Sequence, residues 1–161
     1  MILHFSNKFM SGSSVVQDDD GRDVFVVKGW KISPTKYRRV FDMQGNLKCI
    51  VRNKLLKIIK YKAFIYNNKR KKVITIRQKV VSIPAKYFVE GQVSLTVVSN
   101  GFLKGLTVFE NDDVVGEIKT ENYLTVIDNF CINIMNEKYT ELMVALAVAM
   151  DNLFDKKKKI H

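Results

Sequence analysis

The sequence predicts a mainly β protein: a closed antiparallel barrel of about twelve strands around one hydrophobic C-terminal helix. Three observations carry this expectation. Near the end of the chain, Leu142 to Met150 contains no polar side chain. Ahead of it, a unit of two strand-like segments joined by a corner recurs. Successive units are separated by turn signals and by no helical pattern, which indicates antiparallel pairing.

The helix is predicted over residues 140–154. Met, Ala and Leu dominate YTELMVALAVAMDNLF (Tyr139 to Phe154) and favour helix. Thr140 suits the cap, and Glu141 complements the positive helix start. A helix apolar on every face is enclosed either by protein or by lipid. Crossing a bilayer takes about 18 or more apolar residues, and this run is interrupted at Asp151 and Asn152. A core helix is therefore expected, and its many alanines imply tight surroundings.

Taken from the start, the first strand lies near Ile2 and a second spans Ser14 to Gln17. Asp18, Asp19, Asp20 and Gly21 read as a hairpin tip. A calcium loop would space its ligands and close with a Glu, and this one does neither. The repeat then begins. KGWKISPTKYRRVFD (Lys28 to Asp42), RNKLLKIIKYKAFIYN (Arg52 to Asn67) and RQKVVSIPAKYFVEG (Arg77 to Gly91) each hold a basic residue, a corner and a Lys-Tyr pair. Their leading strands are Val24–Lys28, Leu47–Arg52 and Val73–Arg77; the returning strands start at Lys36, Lys60 and Lys86. Further strands follow at Gln92–Ser99, Leu106–Glu110, Asp113–Lys119, Tyr123–Ile127 and Phe130–Met135. So many strands curl or close, and closure removes exposed edges. The apolar helix fills the interior; a sandwich would leave one helix face wet and polar. Residues 1–155 make one domain, and 156–161 a basic tail.

This order of features resembles the LURP-one-related family, part of the tubby C-terminal-like superfamily that includes the phospholipid scramblases. The resemblance rests on the Lys-Tyr hairpin units, FDMQGN (Phe41 to Asn46), LTVFENDDVVGEIKT (Leu106 to Thr120) and LMVALAVAMDNLF. It spans nearly the whole chain, which closely resembles the short bacterial members. It implies a twelve-stranded barrel enclosing a C-terminal helix. For function it implies binding of phosphoinositide-type head groups through basic side chains; no individual ligand residue carries over.

Several chemistries are disfavoured. The two histidines, His4 and His161, sit near chain ends, where a rigid catalytic site is hard to build. No closely spaced Cys-His set, P-loop or GxGxxG loop occurs. No catalytic residue, metal ligand or cofactor is assigned, and no enzyme is expected. Cys49 and Cys131 read as buried reduced thiols of a cytoplasmic protein. MILHFSNKFM is too short and polar for a signal peptide, and no transmembrane segment is expected.

Binding is favoured instead. The net charge is +11, which attracts polyanions. Four of the positive charges, Lys156 to Lys159, lie in the tail, and the chain stays basic without them. If Tyr61, Ala63 and Ile65 face inward, Lys60, Lys62 and Phe64 face outward. By the repeat, Lys36, Arg38 and Lys86 join them, extended by the turn Lys69, Arg70, Lys71 and Lys72. Outward Phe64 and Tyr66 add aromatic area. Arg39 then falls inward, a conflict that a bulge would relieve. The expected role is a binding domain for anionic phospholipid head groups, peripheral at a membrane. A protein-interaction scaffold without a lipid ligand is the alternative. Nucleic-acid binding ranks lower, because neither a row of stacking aromatics nor a recognition helix is present.

Overall fold

Twelve strands alternate inward and outward side chains and close on themselves. In chain order they are β1 (Ile2–Asn7), β2 (Ser13–Asp18), β3 (Asp23–Lys28), β4 (Arg38–Asp42), β5 (Leu47–Asn53) and β6 (Lys62–Asn67). β7 (Lys72–Gln78), β8 (Lys86–Gly91), β9 (Leu95–Ser99), β10 (Gly105–Glu110), β11 (Asp113–Thr120) and β12 (Phe130–Ile134) complete the wall. Each strand pairs antiparallel with its neighbours in the chain, and β1 closes on β12 with Leu3 opposite Ile132 and His4 opposite Cys131. This computed structural model describes residues 1–7, 13–29, 37–54, 61–79, 81–100, 105–121 and 129–158, with helix side chains to residue 152. The predicted strand Tyr123–Ile127 lies outside the described residues.

The closed barrel and the core helix agree with the sequence-based expectation. Val27, Val40, Val51, Ile65, Ile76 and Val89 point inward from successive strands. A turn of 3₁₀ helix (Glu137–Tyr139), with the Asn136 side chain accepting from the Lys138 N–H, leads into α1 (Thr140–Lys158). Met143 through Asn152 are buried on every face, in contact with β5, β11 and β12. Each large apolar side chain so enclosed contributes about 1.5–3 kcal/mol. The wall approaches the helix closely at Gly116, where a Cβ would stand 2.5 Å from the Met143 methyl. The helix runs beyond the predicted residue 154, so the first lysines of the expected tail continue it.

The turns are equally legible. The carboxylates of Asp18 and Asp42 and the amide oxygen of Asn67 each accept two backbone N–H groups from their own hairpin turn, the local bonding that favours Asp and Asn there. Gly21 and Gly45 supply the left-handed residue of the first two turns (φ 77° and 83°); Arg70 occupies the equivalent place in the third with φ 59°.

Candidate anion-binding wall

Three half-buried phenylalanines mark the outer face from β3 to β8, and each has one or two cations over its ring. Lys28 and Arg39 stand 5.5 and 5.7 Å from the centre of Phe41. Lys62 and Lys72 stand 5.6 and 5.4 Å from Phe64. Arg77 lies 4.8 Å from Phe88. Cross-strand register joins the second and third groups, where Arg52 faces Phe64 and Lys62 faces Arg77, which faces Phe88; within the first, Lys28 faces Arg39. Each such contact is worth roughly 0.5–1 kcal/mol at an exposed site. Glu90 pairs with Arg77 at 2.6 Å, and its carboxyl is held below the ordinary range by that guanidinium. Among the described residues no ion pair occupies Lys28, Arg39, Arg52, Lys62 or Lys72.

The predicted residues divide as follows. Lys62 and Lys86 are partly exposed on this wall, and Lys69, Arg70, Lys71 and Lys72 are exposed at or beside the β6–β7 turn. Lys36 and Lys60 lie outside the described residues. Arg38 is a correction: it points inward and is fully buried, whereas Arg39 is exposed. No bulge is needed to explain it. Counting back from inward Val40 by the two-residue strand period places Arg38 inside. The Lys-Tyr pairs are one residue out of phase between repeats, so Tyr61 is buried while Tyr37 is exposed. Lys28, Arg52, Arg77, Phe41 and Phe88 are additional members, and the same alternation, applied to each strand separately, would have found them.

Inside, Arg38 completes a polar network at the far end of the helix. Its Nη1 donates to Asp151 Oδ2 and its Nη2 to Ser14 Oγ, both at 2.5 Å. Ser14 Oγ donates to Asn7 Oδ1 at 2.6 Å, and Asn7 Nδ2 donates to Asp151 Oδ1 at 3.0 Å. One guanidinium thus anchors the helix to β4, and through neighbours to β1 and β2. Tyr61 adds a hydroxyl that donates to the Ala149 carbonyl at 2.7 Å.

At the opposite mouth, beside the helix start, a cleft of about 710 Å³ opens between α1 and β5–β7. The barrel is therefore less completely filled than the sequence implied. The charges there are mutually paired: Lys48 with Glu141 at 2.6 Å, and Lys138 with Glu110 at 3.0 Å. The Tyr139 hydroxyl also donates to Glu110, and it is the leading reason that carboxyl is held below its usual range.

Across the barrel from the basic wall, β1, β11 and β12 carry a different set. His4 Nδ1 lies 2.9 Å from Glu121 Oε1, and its Nε2 lies 3.1 Å from Asp19 Oδ1. Glu121 and then Asp19 raise the imidazole above its ordinary value. Cys131 stands opposite His4 in register. The expectation of two buried thiols holds for Cys49; Cys131 is only partly buried. Burial pushes the Cys49 thiol up to about 12, so it stays protonated at neutral pH. Ellman's reagent is expected to modify one thiol in the native protein and the second only after unfolding, with Cys131→Ser removing the native reaction. Rapid modification of Cys49 in the folded chain would contradict its enclosure.

Among the described residues no helix is long and apolar enough to cross a membrane. No curated protein matches the chain in sequence. A protein of Arabidopsis thaliana solved by X-ray crystallography is similar in fold, with a TM-score of 0.64 at 16% identity over 94% of this chain and 91% of that one. A sequence model of the LURP-one-related family matches residues 1–151. With the match covering the barrel and most of its helix, the chain belongs to the LURP-one-related family.

Proposed function

We propose that this protein is a non-enzymatic binding domain that docks on anionic membrane surfaces through its β3–β8 wall. The observation that carries this reading is the join between that wall and the β7–β8 connection. Val81 and Ile83 there are 82% and 100% exposed. Lys79 and Lys86 flank them, and Arg77 and Phe88 lie on the adjoining strands. Apolar side chains fully in water beside a cationic, aromatic surface suit a lipid interface. The apolar tips enter the acyl boundary and the cations meet head-group phosphates. Each basic side chain near an anionic leaflet contributes about 1 kcal/mol. The resemblance to tubby-type domains, which bind phosphoinositide head groups, and to scramblases, which act at membranes, supports the same reading.

Vesicle co-sedimentation tests it. Binding is expected to phosphatidylserine-containing vesicles, weakening as salt rises, and not to neutral phosphatidylcholine vesicles. Val81→Ser/Ile83→Ser, which leaves the net charge unchanged, is expected to weaken binding about tenfold, from partial loss of apolar burial, with an unchanged melting temperature. Binding unaffected by that double variant but competed by free inositol phosphate would assign the wall to soluble anions instead. Equal, negligible binding to both vesicle types at low salt would sink the proposal.

A further inference from the structure

We propose that His4, Cys131 and Glu121 form a surface site for a borderline divalent cation of the zinc class, on the side of the barrel opposite the basic wall. One ligand atom from each residue lies within 4.8 Å of the others. In a tetrahedral zinc site with one sulfur, bonds near 2.0 Å to N and O and 2.3 Å to S place ligand atoms roughly 3.3–3.5 Å apart. Side-chain adjustments of about an ångström or less per residue reach that spacing, the wider separations closing and the 2.9 Å His4 Nδ1–Glu121 Oε1 pair opening slightly.

The backbone under all these groups is already fixed. His4 and Cys131 are direct partners across the β1–β12 seam that closes the barrel. Glu121 follows β11 and is held by its N–H bond to the Asn129 carbonyl at 2.9 Å. Asp19 sits in the turn organised by the Asp18 carboxylate. With the cation on the Nδ1 side of His4, beside Glu121, Nε2–H donates to Asp19 at 3.1 Å. That is the carboxylate–histidine–metal arrangement in which an outer carboxylate orients a ligating imidazole. Three protein ligands leave a fourth position for water. The sulfur and nitrogen donors select zinc-like ions over magnesium or calcium, which prefer all-oxygen shells. Glu121 is exposed and the other two ligands partly so, giving the ion a direct path from solvent.

Titration of the reduced full chain with Co²⁺ alone and Zn²⁺ alone tests the site. Co²⁺ is expected to produce a near-ultraviolet thiolate-to-cobalt band that one equivalent of Zn²⁺ abolishes, while a hundredfold excess of Mg²⁺ or Ca²⁺ leaves it intact. Cys131→Ser should eliminate the band; the other cysteine, Cys49, is enclosed in the barrel. His4→Gln and Glu121→Gln should each weaken Zn²⁺ at least tenfold, and Asp19→Asn about tenfold, as expected when an orienting partner is lost. His161→Gln should change nothing. No thiolate band, a band that survives Cys131→Ser, or equal Zn²⁺ affinity in the wild type, His4→Gln and Glu121→Gln would overturn the assignment. Glu121→Gln, at an exposed position, separates loss of a ligand from loss of fold.

Discussion

Ala147→Asp is expected to yield a chain that does not fold. Ala147 is completely buried within the barrel, between Leu146 and Val148, which are equally enclosed. A carboxylate there would be cut off from water, and the Arg38 guanidinium near the next turn is already paired with Asp151. Its desolvation costs several kcal/mol even after the group takes up a proton, and the added volume meets a wall built around alanine. Together these approach the whole stability of an ordinary domain, about 5–15 kcal/mol. Far-ultraviolet circular dichroism and urea titration would read the outcome. A cooperative transition within 1 kcal/mol of wild type, on the scale of ordinary surface substitutions, would mean that the helix is not enclosed.

Asp151→Ala tests the converse. Asp151 lies one helical turn after residue 147 on the same face, buried to the same degree, yet the protein keeps a carboxylate there. The difference is its partners, Arg38 and Asn7. Removing Asp151 leaves the buried guanidinium without its ion-pair partner, and the expected loss is about 3–5 kcal/mol. Arg38→Met leaves the carboxylate without its cation while the Asn7 hydrogen bond remains, and loss of the opposite charge beside a buried carboxyl shifts it toward the neutral form. The sign follows. With the folded pKa above the unfolded one, the penalty is fully present at neutral pH and fades as pH falls toward the unfolded value. The Arg38→Met deficit should therefore shrink between pH 7 and pH 5, while that of Asp151→Ala should not shrink in this way. Arg38→Met/Asp151→Leu should recover most of the stability, since an apolar pair of similar volume often replaces a buried ion pair at little cost. Urea midpoints across pH measure all three; identical, pH-independent losses would contradict the network.

The fold was legible because its signals are local. Alternation, the Asp and Asn turn caps and the apolar stretch of α1 each follow from neighbouring residues. The wall was legible in part. Lys62, Lys72 and Phe64 follow from β6 and the turn after it, whereas aligning repeats on Lys-Tyr carried the wrong phase into β4 and placed Arg38 outside. A lone arginine on an inward strand position becomes intelligible only once Asp151 is seen across the barrel. The His4–Cys131–Glu121 cluster was not legible at all. Its members come from both ends of the chain, and the register of the closing seam alone makes them neighbours.

The membrane-docking account rests on where the charge lies, not on how much there is, so a charge-matched comparison tests it most directly. Arg39→Glu/Lys62→Glu reverses two cations of the wall. Arg22→Glu/Lys119→Glu reverses two exposed cations elsewhere on the barrel and changes the net charge equally. Affinity for phosphatidylserine vesicles at fixed salt is the readout. The wall variant is expected to bind at least about thirtyfold more weakly, at roughly 1 kcal/mol per basic side chain removed and further loss from the reversal, while the matched variant stays within about threefold of wild type. Equal losses in the two variants would mean that the membrane reads only total charge and that the β3–β8 wall is no binding surface.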